Sequence, residues 1–392
     1  MPHKAPQYLF VARDYAVEAE YADGFSVAEL MPVNSIGVMT KRDSVTLCES
    51  PAEVKSRVID FRTMSRSEID LKYKDAHDAR DWNLAGIKKN IEICGFNHIR
   101  PIMVRPFDYR FTYYTDFSKG FLAYPVYDVG RHILSANLCL TTIRKADVLQ
   151  GWSHVLTVDG IMIHHALTMK EGNYIFPLYL YPRERDIERS IRVNFNEGLY
   201  AQIRQAAGLT CPLVAPDGSD AFRHATGNAR PDEVKVFDYI YGVLHCPAYR
   251  KTFAEFLKID FPRVPFPPSQ KVFSKVSEQG ETLRRLHLME DAAIGETACF
   301  FLGDGDSVVE KPRISDGKVW INSSQYFEKV SFVAWDFRIG GYKPAQKWLK
   351  DRKGRALSWD DTCHYQKIIK VMTETDRVMR VIDFPLVTVA GN

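Results

Sequence analysis

Phosphate loops, dinucleotide fingerprints and hydrolase elbows are all missing from this 392-residue chain. Without a GxxxxGK(S/T) segment it is not an ordinary ATP-driven motor. No GxGxxG follows a strand pattern, which argues against a standard dinucleotide or methyl-donor site. GxSxG and HExxH are absent too. So are Asn-Pro-Pro-Tyr and Asp-Pro-Pro-Tyr, the tetrapeptides with which amino-methyltransferases hold a flipped adenine. The seven cysteines (Cys48, Cys94, Cys139, Cys211, Cys246, Cys299, Cys363) are scattered, with no CxxC pair. Zinc is therefore not indicated, and reduced, mostly buried thiols in a cytoplasmic protein are expected. No apolar run reaches the roughly 18 residues of a membrane span, and residues 1–10 lack a signal-peptide pattern. There is neither an internal repeat nor a low-complexity stretch.

Charge of either sign is not in excess: 52 Lys and Arg against 49 Asp and Glu leave a net +3. That excludes a wholly basic coat protein but not a basic groove, because the field at one face counts for more than the sum. Hydrophobic content of 45% with 12% aromatics suits a large core, and the length allows two or three domains.

Strand patterns dominate the first half. Tyr8–Val11, Ser44–Leu47, Ile99–Val104, Phe111–Tyr114, Leu138–Ile143, His154–Val158, Ile161–His164 and Tyr174–Tyr181 are apolar or alternating runs between turn signals such as Asp159-Gly160. They predict a mixed or antiparallel sheet. Residues 65–95 have helical spacing, with Ser65 or Ser67 as a cap and Gly95 as a stop. Residues 213–233 are polar and rich in Gly and Pro, and are expected to be a linker. Helices are then predicted over 236–244, 249–257, 273–289 and 359–382. Residues 262–268 carry four prolines and are expected to run extended over the surface. Val319–Ile321 and Val330–Phe337 read as strands. The fold class expected is α+β: a sheet-rich N-terminal lobe (1–212), a linker (213–233) and a more helical C-terminal lobe (234–392).

Three acidic or histidine features are weak pointers to chemistry. Pro231-Asp232-Glu233-Val234-Lys235 contains Glu-x-Lys beside Asp, but nuclease ligands usually converge from separate strands. Here the acids suit a helix N-terminus. Gly303-Asp304-Gly305-Asp306 lacks the other ligands of a calcium loop. His164-His165 lacks a third metal ligand nearby and is expected to end a strand with one ring buried. No metal site and no catalytic residue is assigned.

The strongest positive feature lies between Arg338 and Arg355, where seven Lys or Arg and one acid give a local net charge of +6. Basic density with Tyr342 and Trp348 among it is the footprint of a nucleic-acid surface. Gly340 and Gly341 would let the backbone approach a ligand closely. Lys343, Lys347, Lys350, Arg352, Lys353 and Arg355 are the candidate DNA contacts, the lysines as phosphate donors and an arginine as a guanine reader. In the glycine-led segment 37–43, either Thr40, Lys41, Arg42 and Asp43 touch a phosphate or a base edge, or Arg42 and Asp43 staple the loop. Arg105, Asp108 and Arg110 flank a Pro-Phe turn. An Arg–Asp pair fixing the turn and a DNA contact by Arg110 or Arg105 are both open. His245, Tyr249, Arg250 and Arg263 are read as structural.

Several of these segments occur together in one known family. Arg105-Pro-Phe-Asp-Tyr-Arg110, Phe237-Asp-Tyr-Ile-Tyr-Gly-Val-Leu-His-Cys-Pro-Ala-Tyr-Arg250, Asp260-Phe-Pro-Arg-Val-Pro265 and Trp348-Leu-Lys-Asp-Arg-Lys-Gly-Arg355 follow each other as they do there. Over about residues 30–383 the chain resembles the C-terminal specificity region of Type ISP restriction-modification enzymes. The resemblance implies recognition of a double-stranded DNA site on behalf of an adenine methyltransferase that uses S-adenosylmethionine. Helicase-like and nuclease parts, in cis or in trans, are the further partners it implies. None of those catalytic signatures is present, so no cofactor is expected on this chain, which would begin just past the catalytic core. Two alternatives remain open: a scaffold subunit that binds DNA only when docked on its partners, and, more remotely, a metal-dependent hydrolase.

Overall fold

A computed structural model describes residues 15–146, 151–184, 186–210 and 216–386. The expected strand Tyr8–Val11 lies outside them.

The N-terminal half is built on two small sheets. One is antiparallel, in the order Ser35–Ile36, Asn173–Pro177, Cys139–Ile143, Val155–Val158. All five residues of its Cys139–Ile143 strand are buried, so that strand is covered on both faces. The other is mixed: Ile99–Arg105 pairs antiparallel with Asp108–Tyr113 and parallel with Ile161–Met162. Asp159-Gly160 therefore does not close a hairpin. It hands the chain from the first sheet to the second.

Three sequence expectations fail for local reasons. Residues 65–95 form two helices, Arg66–Lys72 and Leu84–Cys94. The intervening loop is held by Asp78, which accepts from the Leu84 amide at 2.9 Å and pairs with Arg66. Asn83 then caps the second helix through the Gly86 amide. Ser44–Leu47 is not a strand. Asp43–Thr46 is one helical turn whose Val45 and Thr46 amides return to the Arg42 carbonyl. Residues 330–337 are not a strand either, because Ser331 caps a short helix, Phe332–Asp336.

The C-terminal half centres on Asp232–His245, which is buried on nearly every side. That explains its near-continuous apolar sequence, since a helix covered all round needs no polar face. It lies against Gln270–His287 at glycine contacts: a Cβ on Gly280 would stand 1.8 Å from the Asp238 carbonyl oxygen, and one on Gly242 2.5 Å from that of Val276. Between these helices Asp238 accepts from both Arg230 and Arg284 at 2.6 Å, and Glu281 stands 3.1 Å from Arg230, so two buried cations meet two acids. Trp359–Val381 packs beside them. This half also contains a four-stranded antiparallel sheet, of which the sequence pattern shows only the strand around Val319–Ile321.

The two halves share one hydrophobic core. The Thr157 amide of the first sheet donates to the Tyr241 hydroxyl at 3.1 Å. Within the expected linker, Phe222 and Arg230 are buried. The proline-rich segment is not surface-running: Arg263–Val264 pairs with Phe25–Ser26, and Val264 is fully buried. Tyrosine hydroxyls donate to two of the segment's carbonyls, Tyr249 to Arg263 at 2.6 Å and Tyr239 to Pro265 at 2.8 Å.

Candidate nucleic-acid interface

The basic segment begins with a tight turn in which Ile339 and Tyr342 bridge. Its glycines approach the protein's own backbone rather than offering room to a ligand. Gly340 and Gly341 donate to the Ser153 and Leu167 carbonyls at 2.9 and 2.8 Å. Gly340 has φ +59°, and a Cβ there would stand 2.1 Å from the Leu167 oxygen. The helix Pro344–Lys350 follows, started by a proline that needs no N–H partner at that position. It buries Pro344, Ala345, Trp348 and Leu349, so Lys343, Lys347 and Lys350 fall on its outer side. Tyr342 and Trp348 are core residues, and neither ring is open for stacking on a base.

Much of the +6 is balanced by acids from elsewhere in the chain. Arg352 is buried, lies 3.5 Å from the Trp348 ring centroid and donates to Asp108 at 2.9 Å. Burial lowers its pKa from the ordinary arginine value, with Asp108 opposing that shift. Arg355 bonds Glu49 at 2.6 Å and Asp361 at 2.5 Å. Glu49 also takes Arg110 at 2.9 Å, and Arg110 stands 3.4 Å from Asp108. Burial alone would raise the pKa of Asp361. The Ser358 amide and the Arg355 guanidinium outweigh it, and the carboxyl sits below its usual range. Ser358 and Asp361 form the capping box of Trp359–Val381, so this carboxylate ties the basic turn to a helix N-terminus. Lys343 pairs with Asp336, and Lys347 with Asp351. Among the described residues Lys350 reaches only Gln346, at 3.4 Å. Lys353 is exposed, with no acidic partner among the described residues.

The folded chain brings the other predicted residues to the same region. Phe107, at φ +63°, turns the hairpin that sets Asp108 under Arg352, and the His364 ring donates to the Phe107 carbonyl at 2.7 Å. The Arg105 guanidinium covers the Tyr342 ring at 4.9 Å. Burial raises the pKa of the Tyr342 phenol; Arg105 opposes the rise, and the charge of Asp43, which ends the 40–43 loop, adds to it. In that loop Arg42 donates to the His77 carbonyl at 3.1 Å and faces Trp82. Lys41 is exposed at φ +69°. Thr40, rather than Arg42, is the partner of Asp43.

The remaining predicted residues lie elsewhere. His245 is buried beside Tyr241 and His287 and bonds the Tyr241 carbonyl at 2.8 Å. Arg250 donates to the Leu244 carbonyl at 2.6 Å and covers Trp152. Arg263 bonds the Gly24 carbonyl at 3.0 Å and pairs with Glu29. His164 and His165 are both half-buried, their rings 3.8 Å apart. No group of three or more metal-ligating side chains occurs among the described residues.

The Type ISP C-terminal specificity domain matches residues 29–381. The chain belongs to that family. Three solved structures share the fold of this specificity domain. The DrdV–DNA complex has TM-score 0.65 and 16% identity, over 90% of this chain and 36% of that one. A nuclease-deletion mutant of the Type ISP restriction-modification enzyme LlaGI, in complex with a DNA substrate mimic, has TM-score 0.62 and 17% identity, over 93% and 34%. The ATP-dependent Type ISP enzyme LlaBIII bound to DNA has TM-score 0.65 and 17% identity, over 93% and 24%. The specificity domain thus spans about a quarter to a third of those proteins. No curated protein matches it.

Two features of the specificity domain escaped the sequence reading. Arg338 is half-buried beside the glycine turn and has no acidic partner among the described residues. Trp359, next to the basic turn, is 77% exposed. The Ser358-x-x-Asp361 box could have revealed it, because that cap sets Trp359 in the first turn of the helix. No helix of the described residues is long and apolar enough to cross a membrane.

Proposed function

We propose that this specificity domain recognises a short, asymmetric duplex DNA site and presents a target adenine to the methyltransferase of a restriction-modification enzyme. Membership of the Type ISP specificity family over residues 29–381 carries the reading. The DNA complexes of the three proteins that share the fold support it. So do Lys41, Lys350 and Lys353, which offer charge without an acidic partner among the described residues. In this reading these lysines meet phosphates and fix the register, while an arginine approaches a base edge. Arg352 holds the frame. The methyl donor, S-adenosylmethionine, and the attack of the adenine amine on it belong to the methyltransferase part. Flipping the base costs a few kcal/mol, which protein contacts on both sides of the duplex would offset.

The test is selection of random duplex DNA by the purified chain, with sequencing of the retained fraction and a salt titration. Enrichment of one short asymmetric motif, with affinity falling steeply as salt rises, is the expected result. Binding without enrichment, or none at low salt, would refute autonomous recognition. Enrichment regained on adding the methyltransferase would assign the reading to the assembled enzyme.

A further inference from the structure

The four-stranded sheet of the C-terminal half carries a second cationic surface. Its strands run in the order Phe301–Leu302, Tyr326–Phe327, Lys318–Trp320, Arg313–Ser315. Alternation gives it two faces. Val319 and Phe327 are buried in the core. On the other face Arg313, Trp320, Tyr326 and Leu302 stand opposite one another in a single row across all four strands. Lys318 shares that face with Trp320, two residues along the same strand. The Lys318 ammonium lies 4.5 Å from the Tyr326 ring centroid, and the Arg313 guanidinium 5.7 Å from that of Trp320. Neither cation has an acidic partner among the described residues. Asp316, the acid nearest Lys318 in sequence, accepts from the Ser315 hydroxyl, and Glu328 stands 3.9 Å from the Lys329 ammonium.

This is the reverse of the arrangement at Arg352 and Arg355. An aromatic ring orients a cation without cancelling its charge, so the donors are held in place at little entropic cost and remain open to an anion. The sheet is also joined to the basic turn. The Gly354 amide donates to the Val309 carbonyl at 2.7 Å, and the Glu310 amide donates to the Ile321 carbonyl at 2.8 Å. Lys353 is thus one short backbone segment away from the sheet.

We propose that the outer face of this sheet is a further phosphate-contacting surface for duplex DNA, with Arg313 and Lys318 as donors and Trp320 and Tyr326 as their supports. The proposal rests on the duplex-recognition reading above and extends the contact surface beyond residues 338–355. Both rings already carry cations, which favours a backbone contact over base stacking.

The experiment compares the full chain with its R313A/K318A variant and with the charge-conserving R313K/K318R. Each binds the selected duplex and an unrelated duplex across a salt series, and thermal unfolding confirms that all three are folded. Two lost phosphate contacts should lower the slope of log affinity against log salt by about 1.8 in the alanine variant. Over a roughly fourfold rise in salt, the wild type would then lose about twelvefold more affinity than the variant. The loss should be equal on both duplexes and restored in the conservative variant. An unchanged slope while the wild type binds duplex would overturn the sheet's role and leave the recognition reading intact. A loss confined to the selected sequence would overturn the phosphate assignment. No duplex binding by the wild type would remove the recognition reading itself.

Discussion

Replacing Arg352 with alanine separates a framework arginine from one that reads DNA. Asp108 is 1% exposed and takes its 2.9 Å bond from Arg352, with Arg110 more distant at 3.4 Å. Removing one member of a buried ion pair strands the other charge, which costs roughly 3–5 kcal/mol. Arg110 stays close enough to compensate in part, so a loss of about 3 kcal/mol is expected, at the lower end of that range. Urea unfolding of R352A, followed by far-UV circular dichroism, should show that loss. Asp108→Ala and the double variant complete a cycle whose coupling energy should reach about 2 kcal/mol, as for neighbours in one network. Under conditions where R352A is folded, its DNA affinity and salt dependence should match the wild type. A stability loss under about 0.5 kcal/mol, the range of ordinary surface substitutions, together with a shallower salt slope, would refute the structural assignment and return Arg352 to the DNA.

Lys350→Ala and Lys353→Ala should each lower the salt slope by about 0.9 and leave unfolding unchanged, as measured by a salt titration beside a melt. Gly280→Ala should destabilise the chain by about 3 kcal/mol or more although alanine favours helices. Its Cβ would meet the Asp238 carbonyl at 1.8 Å, so the helix pair must separate; a wild-type unfolding curve would contradict that packing. Acid should weaken the fold early. Burial lowers His132 and His154 from 6.5 to about 4, and His287 to about 3. The folded state thus prefers these rings neutral, and below pH 6.5 the unfolded chain takes up the extra protons. Their contribution is complete above that pH, and between about pH 7.5 and 5.5 the three together should forfeit roughly 4 kcal/mol. Denaturant midpoints that stay flat across that interval would contradict it.

Long helices were legible because length and spacing agree: Gln270–His287 and Trp359–Val381 were found to within a few residues. Short elements were not, because Ser44–Leu47 and residues 330–337 owe their turns to a returning amide and a serine cap rather than to periodicity. The basic segment was visible as composition, but its neutralisation was not. Arg352 meets an acid 244 positions away and Arg355 one 306 away, and no local pattern announces such pairs. The cations of the small sheet stayed hidden for a related reason. Lys318-Val319-Trp320 is too short to show its two faces until the register with Arg313 and Tyr326 is known.

Glu49, shared by Arg110 and Arg355, closes a ring of charge among a loop, a hairpin, the basic turn and the start of the last helix. Such a ring holds the turn by bonds that never reach solvent-facing Lys350 and Lys353. Those two positions can therefore change identity while the turn keeps its shape. A protein built this way can tune how tightly it grips a phosphate backbone by surface substitution alone, its tolerance to mutation concentrated where the partner is met.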